Sequence, residues 1–151
     1  MLDDIDRRLL RRFQSAPGQP VSALARAAGV ATQTATRRMD RMRRSGVIRG
    51  VRAVIDWRAL GYAVEVSLRF SVDKTQPRAF DEFLAAARKV PEVVEIQTFL
   101  GRVDVRLSLV ARDMAHWQKL YRDSILTLPH IADIEALVHV AQIKSDTVLP
   151  I

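Results

Sequence analysis

The chain contains no cysteine among its 151 residues, which removes disulfides, thiol nucleophiles and cysteine-bound zinc from consideration. No apolar run approaches the roughly 18 residues of a membrane span. The opening MLDDIDRRLL is acidic first and lacks an apolar h-region, which argues against a secretory signal. A cytoplasmic protein with no membrane partner is the expectation. No GxSxG, phosphate-cradling glycine cluster or HExxH is present. The three histidines are scattered: His116 lies beside Trp117, His130 after Pro129, and His139 late in an alternating stretch. This gives no catalytic constellation, no metal site and no cofactor signature, so an enzyme is not expected.

Lysine is absent from the first 60 residues, which instead hold 13 arginines and 5 aspartates, a balance of +8. Residues 61–151 carry 11 basic and 12 acidic residues, a balance of −1. The whole-chain excess of +7 therefore belongs to the first two-fifths, the pattern of a polyanion-binding module joined to a neutral one. A composition of 48% hydrophobic and 27% charged residues is that of a globular protein.

Three helices can be read before residue 46. In LDDIDRRLLRRFQS the stripe Leu2, Ile5, Leu9 and Phe13 is widened by Leu10. Asp3 is placed to cap it, with Asp4 and Asp6 at the positive end of the dipole. The APGQP stretch stops that helix. VSALARAAG follows, with Ser22 as the expected cap, Leu24, Ala25 and Ala28 inward, and Gly29 as a left-handed terminator. A third helix spans Thr32 to Ser45 and is stopped by Gly46. The short turn between the last two helices is a helix-turn-helix signature, and Ala25 and Ala28 allow a close crossing.

On the third helix Ala35, Met39 and Met42 face inward, and the opposite side collects Gln33, Arg37, Arg41 and Arg44. Thr34 and Asp40 stand at the margins. Short polar groups at the N-terminal end and arginines beyond it suit a helix that reads base edges and meets phosphate in a major groove. The candidate DNA-binding set is Thr32, Gln33, Thr34, Thr36, Arg37, Arg38, Arg41 and Arg44.

GVIRGVRAVID, residues 46–56, reads as a short strand or wing, and Trp57 to Gly61 as a turn into a second domain. Beyond it Val64, Val66, Leu68, Phe70 and Val72 alternate with Glu65, Ser67, Arg69 and Ser71, as in a half-buried strand. A helix from Pro77 buries Phe80, Phe83, Leu84, Ala87 and Val90. The strands VVEIQTFL and VDVRLSLVA are joined by the turn GRVD. A helix over about Ala115 to Thr127 packs Trp117, Leu120 and Tyr121 inward, with Leu128 just beyond, and IADIEALVHVAQI is the last strand. KVPEVVEIQ and TLPHIADIE repeat one pattern, with Pro91 and Pro129 38 residues apart. The order β-α-β-β-α-β predicts a ferredoxin-like fold with both helices on one face of the sheet. The other face, with Glu65, Arg69, Gln97, Phe99, Asp104, Arg106, Leu137 and His139, is too mixed for a core and too apolar for plain solvent. A second protomer covering it is expected.

Together these stretches resemble the Lrp/AsnC (leucine-responsive, asparagine-regulator) family of transcription regulators. LDDIDRRLL is similar to the family's LDxIDxxIL, LARAAGV to LAxxxGL and RRMDRMRRSGVIRG to RRxxxLExxGVIxG. Further matches are AVIDWRALG, VPEVVEIQTFLGRVDV, LPHIADIE and the ending IKSDTVLPI, so the likeness covers almost the whole chain. It implies an α+β protein: a winged helix-turn-helix domain (1–50), a linking strand (51–62) and a ferredoxin-like effector-binding and oligomerisation domain (63–151). It implies a homodimer that assembles further into an octamer, promoter DNA as partner, and an amino acid as effector. By position, DNA contacts fall on Thr32, Gln33, Thr34, Arg37 and Arg38. The effector loop falls on Leu100, Gly101, Arg102 and Asp104, flanked by Phe99 and with Glu135 nearby. A carboxylate at Asp104 suits an ammonium group and Arg102 a carboxylate. Two positions depart from the family pattern. Ala31 stands where a serine is usual, leaving Thr32 to replace the cap, and Met42-Arg43 stands for Leu-Glu.

Rival readings are weaker. A ferredoxin-like domain can host an enzyme, but no motif supports one. A membrane-surface helix lacks large anchors, since its stripe is Ala and Met. RNA binding lacks an aromatic platform among the arginines.

Overall fold

The computed structural model describes residues 1–143 and 148–151; the KSDT portion of the C-terminal family match lies outside the described residues. Five α-helices and four strands are assigned within it, and they divide into two units.

The first unit comprises Met1–Val54 with tail residues 148–151. Helix α1 (Asp4–Ser15) starts at a reciprocal cap: Asp3 Oδ1 accepts from the Asp6 N–H at 2.9 Å, and Asp6 Oδ2 accepts from the Asp3 N–H at 3.2 Å. Helix α2 (Val21–Ala28) begins after Pro20, whose fixed φ leads into the first turn. Ser22 is therefore already inside the helix and caps nothing, contrary to expectation. Gly29, at φ 68°, ends it in the left-handed region as the sequence required. Helix α3 (Thr32–Arg44) has Ala31 at its N-cap with no side-chain bond. Thr32 does not replace that cap, because it is already the first residue of the helix and Ala31 holds the cap position. Gly46, at φ 77°, terminates α3 as expected, and the Ile48 N–H returns to the Met42 carbonyl at 3.0 Å.

Leu9, Phe13, Leu24, Ala25, Ala28, Ala35, Met39 and Met42 make one core, edged by Leu2, Ile5, Leu10, Val21, Val30 and Ile48. The alanines of α2 face α3, and the absence of longer side chains is what lets the two helices approach. The tail lies with this unit and not with residues 63–143. The Gln14 amide donates to the Leu149 carbonyl at 2.7 Å and accepts the Leu149 N–H at 2.9 Å, and Arg11 donates to the Ile151 carbonyl. Gln14 thus serves Leu149 as a neighbouring strand would.

The expected strand or wing over residues 46–56 is absent among the described residues, which are turn, bend and irregular chain there. Val51, Val54 and Ile55 are exposed. Among the described residues this extended, β-prone sequence has no neighbouring strand to pair with, and isolated extended chain is not a ladder.

The second unit spans Ile55–Ile143. It contains β1 (Val64–Val72), α4 (Ala79–Ala87), β2 (Val93–Thr98), β3 (Val105–Ala111), α5 (Met114–Leu120) and β4 (Ile131–Val138). The strands pair antiparallel in the order β2-β3-β1-β4, the ferredoxin-like arrangement. Val66, Leu68, Phe70 and Val72 of β1 and Val105, Leu107 and Leu109 of β3 form the core face, against Phe83 and Ala87 of α4 and Trp117 and Leu120 of α5. Period-two alternation settles which face each residue takes.

Two helical expectations need correction. Phe80 is exposed, because two residues past the cap it falls outside the stripe that Ala79, Phe83 and Ala87 define. The predicted single helix over Ala115–Thr127 is instead α5 followed by a π-helical turn, Tyr121–Ile125. The wider turn changes the angular phase so that Ile125 and Leu128 both reach the core.

Candidate nucleic-acid interface and effector loop

Five arginines lie on α3, and the structure divides them by their partners. Arg38 Nη1 donates to Asp3 and, at 3.0 Å, to Asp6 Oδ1, while Arg41 Nη2 donates to Asp6 Oδ2 at 2.6 Å. Arg43 pairs with Asp40 at 2.9 Å one turn away. Among the described residues no carboxylate pairs with Arg37 or Arg44. Those two line an open groove of about 560 Å³ with Thr32, Gln33, Thr36 and Asp40. A second cleft of about 240 Å³ is walled by Arg37, Arg38, Arg41 and Arg44.

This grouping is the geometry a recognition helix needs. Thr32, Gln33 and Thr36 are exposed on its first turns, where reach to base edges is shortest, and the arginine forks follow. Thr34 is half-buried and stands beside Ala35 at the margin of the groove. Arg38, expected as a free contact, is the residue most altered by the fold. Its side chain is only 19% exposed, and Nε is buried without a hydrogen-bond partner. Asp3 and Asp6 hold it against α1, so it clamps two helices before it meets anything outside. The Arg38 guanidinium bonded to Asp3 and the Asp6 N–H lower the Asp3 pKa to about 2, and Asp3 in turn raises that of Arg38. Sequence reading assigned Asp6 only to the helix dipole. The spacing of its carboxylate from residues 38 and 41 is tertiary, and nothing local in the sequence announces it.

On the second unit, the β2–β3 connection carries Phe99, Leu100, Gly101 and Arg102, all exposed. The Phe99 N–H donates to the Asp104 carbonyl at 2.9 Å, closing the turn, and Ser71 Oγ donates to the Arg102 carbonyl at 2.7 Å. Gly101 sits at φ 151°, a conformation that side chains disfavour. Asp104 is not on the open sheet face as expected. It is buried, its Oδ2 accepts from the Val72 N–H at 2.9 Å, and its Oδ1 meets Lys74 Nζ at 2.7 Å. Burial works to raise its pKa, but the Lys74 ammonium and the Val72 N–H outweigh it and the net shift is downward. With both oxygens engaged, Asp104 anchors the loop and does not offer a vacant carboxylate to an ammonium group.

The open sheet face is polar and paired. Arg69 meets Glu135 at 3.3 Å, Arg106 meets Glu95 at 3.3 Å, and His139 lies 3.3 Å from Glu65. Leu137 and Phe99 remain exposed beside them. His116 and His130 each face one carboxylate, Glu92 and Glu82, and among the described residues no group of three potential ligands could hold a metal. No helix of the described residues is long and apolar enough to cross a membrane.

A three-helix unit with an arginine-bearing third helix and a β-α-β-β-α-β unit with an exposed loop define a class: a DNA-binding module coupled to a ligand-binding one. Residues 2–49 match the winged helix-turn-helix DNA-binding family and residues 65–149 the Lrp/AsnC ligand binding domain family. The chain is 30% identical over 138 residues to the proline dehydrogenase transcriptional activator of Rhodobacter capsulatus, covering 91% of this chain and 90% of that one. It is 27% identical over 150 residues to the leucine-responsive regulatory protein of Escherichia coli, covering 99% and 92%. An AsnC family transcriptional regulator from Agrobacterium tumefaciens superposes with a TM-score of 0.88 at 30% identity, over 99% of this chain and 97% of that one. A transcriptional regulator from Neisseria meningitidis, solved with L-Met, shares the fold with a TM-score of 0.91 at 23% identity, over 99% and 97%. The chain belongs to the Lrp/AsnC family of DNA-binding transcriptional regulators.

Proposed function

We propose that this regulator binds promoter DNA through the outer groove of α3 and that a free amino acid, taken up at the Phe99–Arg102 loop, alters that binding. The observation that carries the DNA assignment is the pairing pattern on α3. Among the described residues Arg37 and Arg44 carry no carboxylate partner, and they open onto the same groove as Thr32, Gln33 and Thr36. Support for the effector is the match of residues 65–149 to a ligand-binding family, and the L-Met bound by the fold-sharing Neisseria regulator. In this reading Arg102 meets the effector carboxylate. Phe99 and Leu100 contact its side chain, and Asp104 holds the loop in shape. Glu135, on β4 at the other edge of the sheet from β2, is paired with Arg69.

We further assign the open sheet face, with Leu137 and Phe99, to contact with a second copy of the chain. The protein acts in the cytoplasm as a homo-oligomer, without chemistry of its own. The test is binding of the full chain to duplexes it selects from a randomised pool, measured alone and with each of the twenty amino acids. One or a few amino acids are expected to change affinity by about 5- to 150-fold, the usual range of allosteric coupling. No response to any of them would contradict the effector assignment while leaving the DNA assignment standing.

A further inference from the structure

Asp6 is a fully buried carboxylate that closes the cap of α1 through Oδ2 and also reaches across to α3, which the cap alone does not require. It accepts from Arg38 Nη1 at 3.0 Å and from Arg41 Nη2 at 2.6 Å, while Asp3 accepts from the same Arg38 nitrogen. Two of the four arginines that wall the 240 Å³ cleft are thereby neutralised in place. An arginine free to swing binds any phosphate within reach, whatever the sequence, and each such contact adds to non-specific affinity and to its salt dependence. An arginine held through one nitrogen by a carboxylate on another helix can meet phosphate only in the orientations that bond allows.

We infer that Asp6 is a specificity-determining positioning residue: by holding Arg38 and Arg41 it limits binding to random DNA and leaves Arg37 and Arg44 as the mobile phosphate contacts. The inference rests on the DNA reading proposed above. Asp6 touches no DNA; it acts through the two arginines.

Burial strengthens the effect at Arg38, whose pair with the fully buried Asp6 is screened by salt less than Arg37 and Arg44 are. Arg41 is held by the same carboxylate from a half-exposed position. Burial also explains why Asp6, though beside a DNA-facing helix, does not simply repel the polyanion. Asp6 has no exposed surface, and its charge is matched by guanidinium groups.

The test compares wild type with Asp6→Asn on a duplex selected by the wild-type chain and on a scrambled duplex of the same composition, across a salt titration. Asparagine keeps the size and one acceptor but releases the charge. Random-duplex affinity is expected to rise about tenfold, the scale of a charge-assisted hydrogen bond lost. The random-duplex salt slope should steepen by about one to two units, and the selected-to-scrambled ratio should fall correspondingly. Asp4→Asn removes an equal charge from the same helix turn without touching α3, since Asp4 pairs with Arg8, and should leave the slope unchanged. In an Arg38→Gln, Arg41→Gln background, Asp6→Asn should have no further effect. If Asp6→Asn fails to fold, Asp3→Asn, which still caps α1 and frees one bond to Arg38, should show a smaller change in the same direction. An unchanged ratio and slope, or an effect that persists in full without Arg38 and Arg41, overturns the inference alone. Failure of the wild-type chain to bind any duplex at low salt overturns the DNA reading, and the inference with it.

Discussion

Arginines 37 and 38 are adjacent in sequence, yet they have different tasks in the folded chain. Arg37 faces the groove, whereas Arg38 ties α3 to the start of α1. Alanine at Arg37 is therefore expected to weaken DNA binding with little change in melting temperature, while alanine at Arg38 lowers the melting temperature by leaving Asp6 a partner short. Circular dichroism melts beside anisotropy titrations check this, and equal stability losses for both would contradict it. The Asp3–Arg38 pair also has a pH signature. Because the Asp3 pKa falls from 3.8 to about 2 on folding, its contribution is present above about pH 4 and is lost as pH falls toward 2. The melting-temperature gap between wild type and Asp3→Asn should be constant from pH 7 to about 4 and close below that. A gap that persists unchanged at pH 2 would show that the ion pair is not its source. Outer and inner faces of α3 were legible from 100° spacing. The clamp was not, because it depends on where α1 lies.

The helices and strands follow from periodicity wherever one face is buried. Leu9, Phe13, Met39 and Met42 sit where a 3.6-residue stripe puts them, and Val66, Leu68 and Phe70 where a two-residue alternation does. Periodicity failed in three kinds of place. Residues 46–56 have strand-forming side chains but no pairing partner among the described residues. The π turn after α5 changes the helical phase, which no fixed-period template follows. Asp104 looked like an exposed turn residue because Val72 and Lys74, its partners, lie on another strand and its extension. Removing the Asp104 side chain strands the Val72 N–H, and Asp104→Ala is expected to destabilise the second unit by about 1–3 kcal/mol. An unaltered chemical denaturation midpoint would contradict that role. In the first unit, Met39→Ala empties a site with no solvent exposure and should cost about 2–5 kcal/mol in the same assay.

At the scale of the molecule, charge is segregated: in our proposal the arginine-rich first unit meets DNA, and the neutral second unit binds effector and another copy. Sedimentation of the full chain at micromolar concentration should then give a dimer or larger species, and a monomer would contradict the assignment of the open sheet face. The segregation was visible in composition alone, as was the order of elements that placed the two units. What composition could not show is how many of the arginines are available to phosphate, because availability is decided by Asp3, Asp6 and Asp40. That number is measurable. The slope of log affinity against log salt for the selected duplex counts the cations engaged, at roughly 0.9 per phosphate contact. Replacing Arg37 and Arg44 together by alanine should flatten it by roughly two units per protomer's groove, with the fold intact by circular dichroism. A slope unchanged by the double substitution would mean that the outer groove of α3 is not where this protein meets DNA.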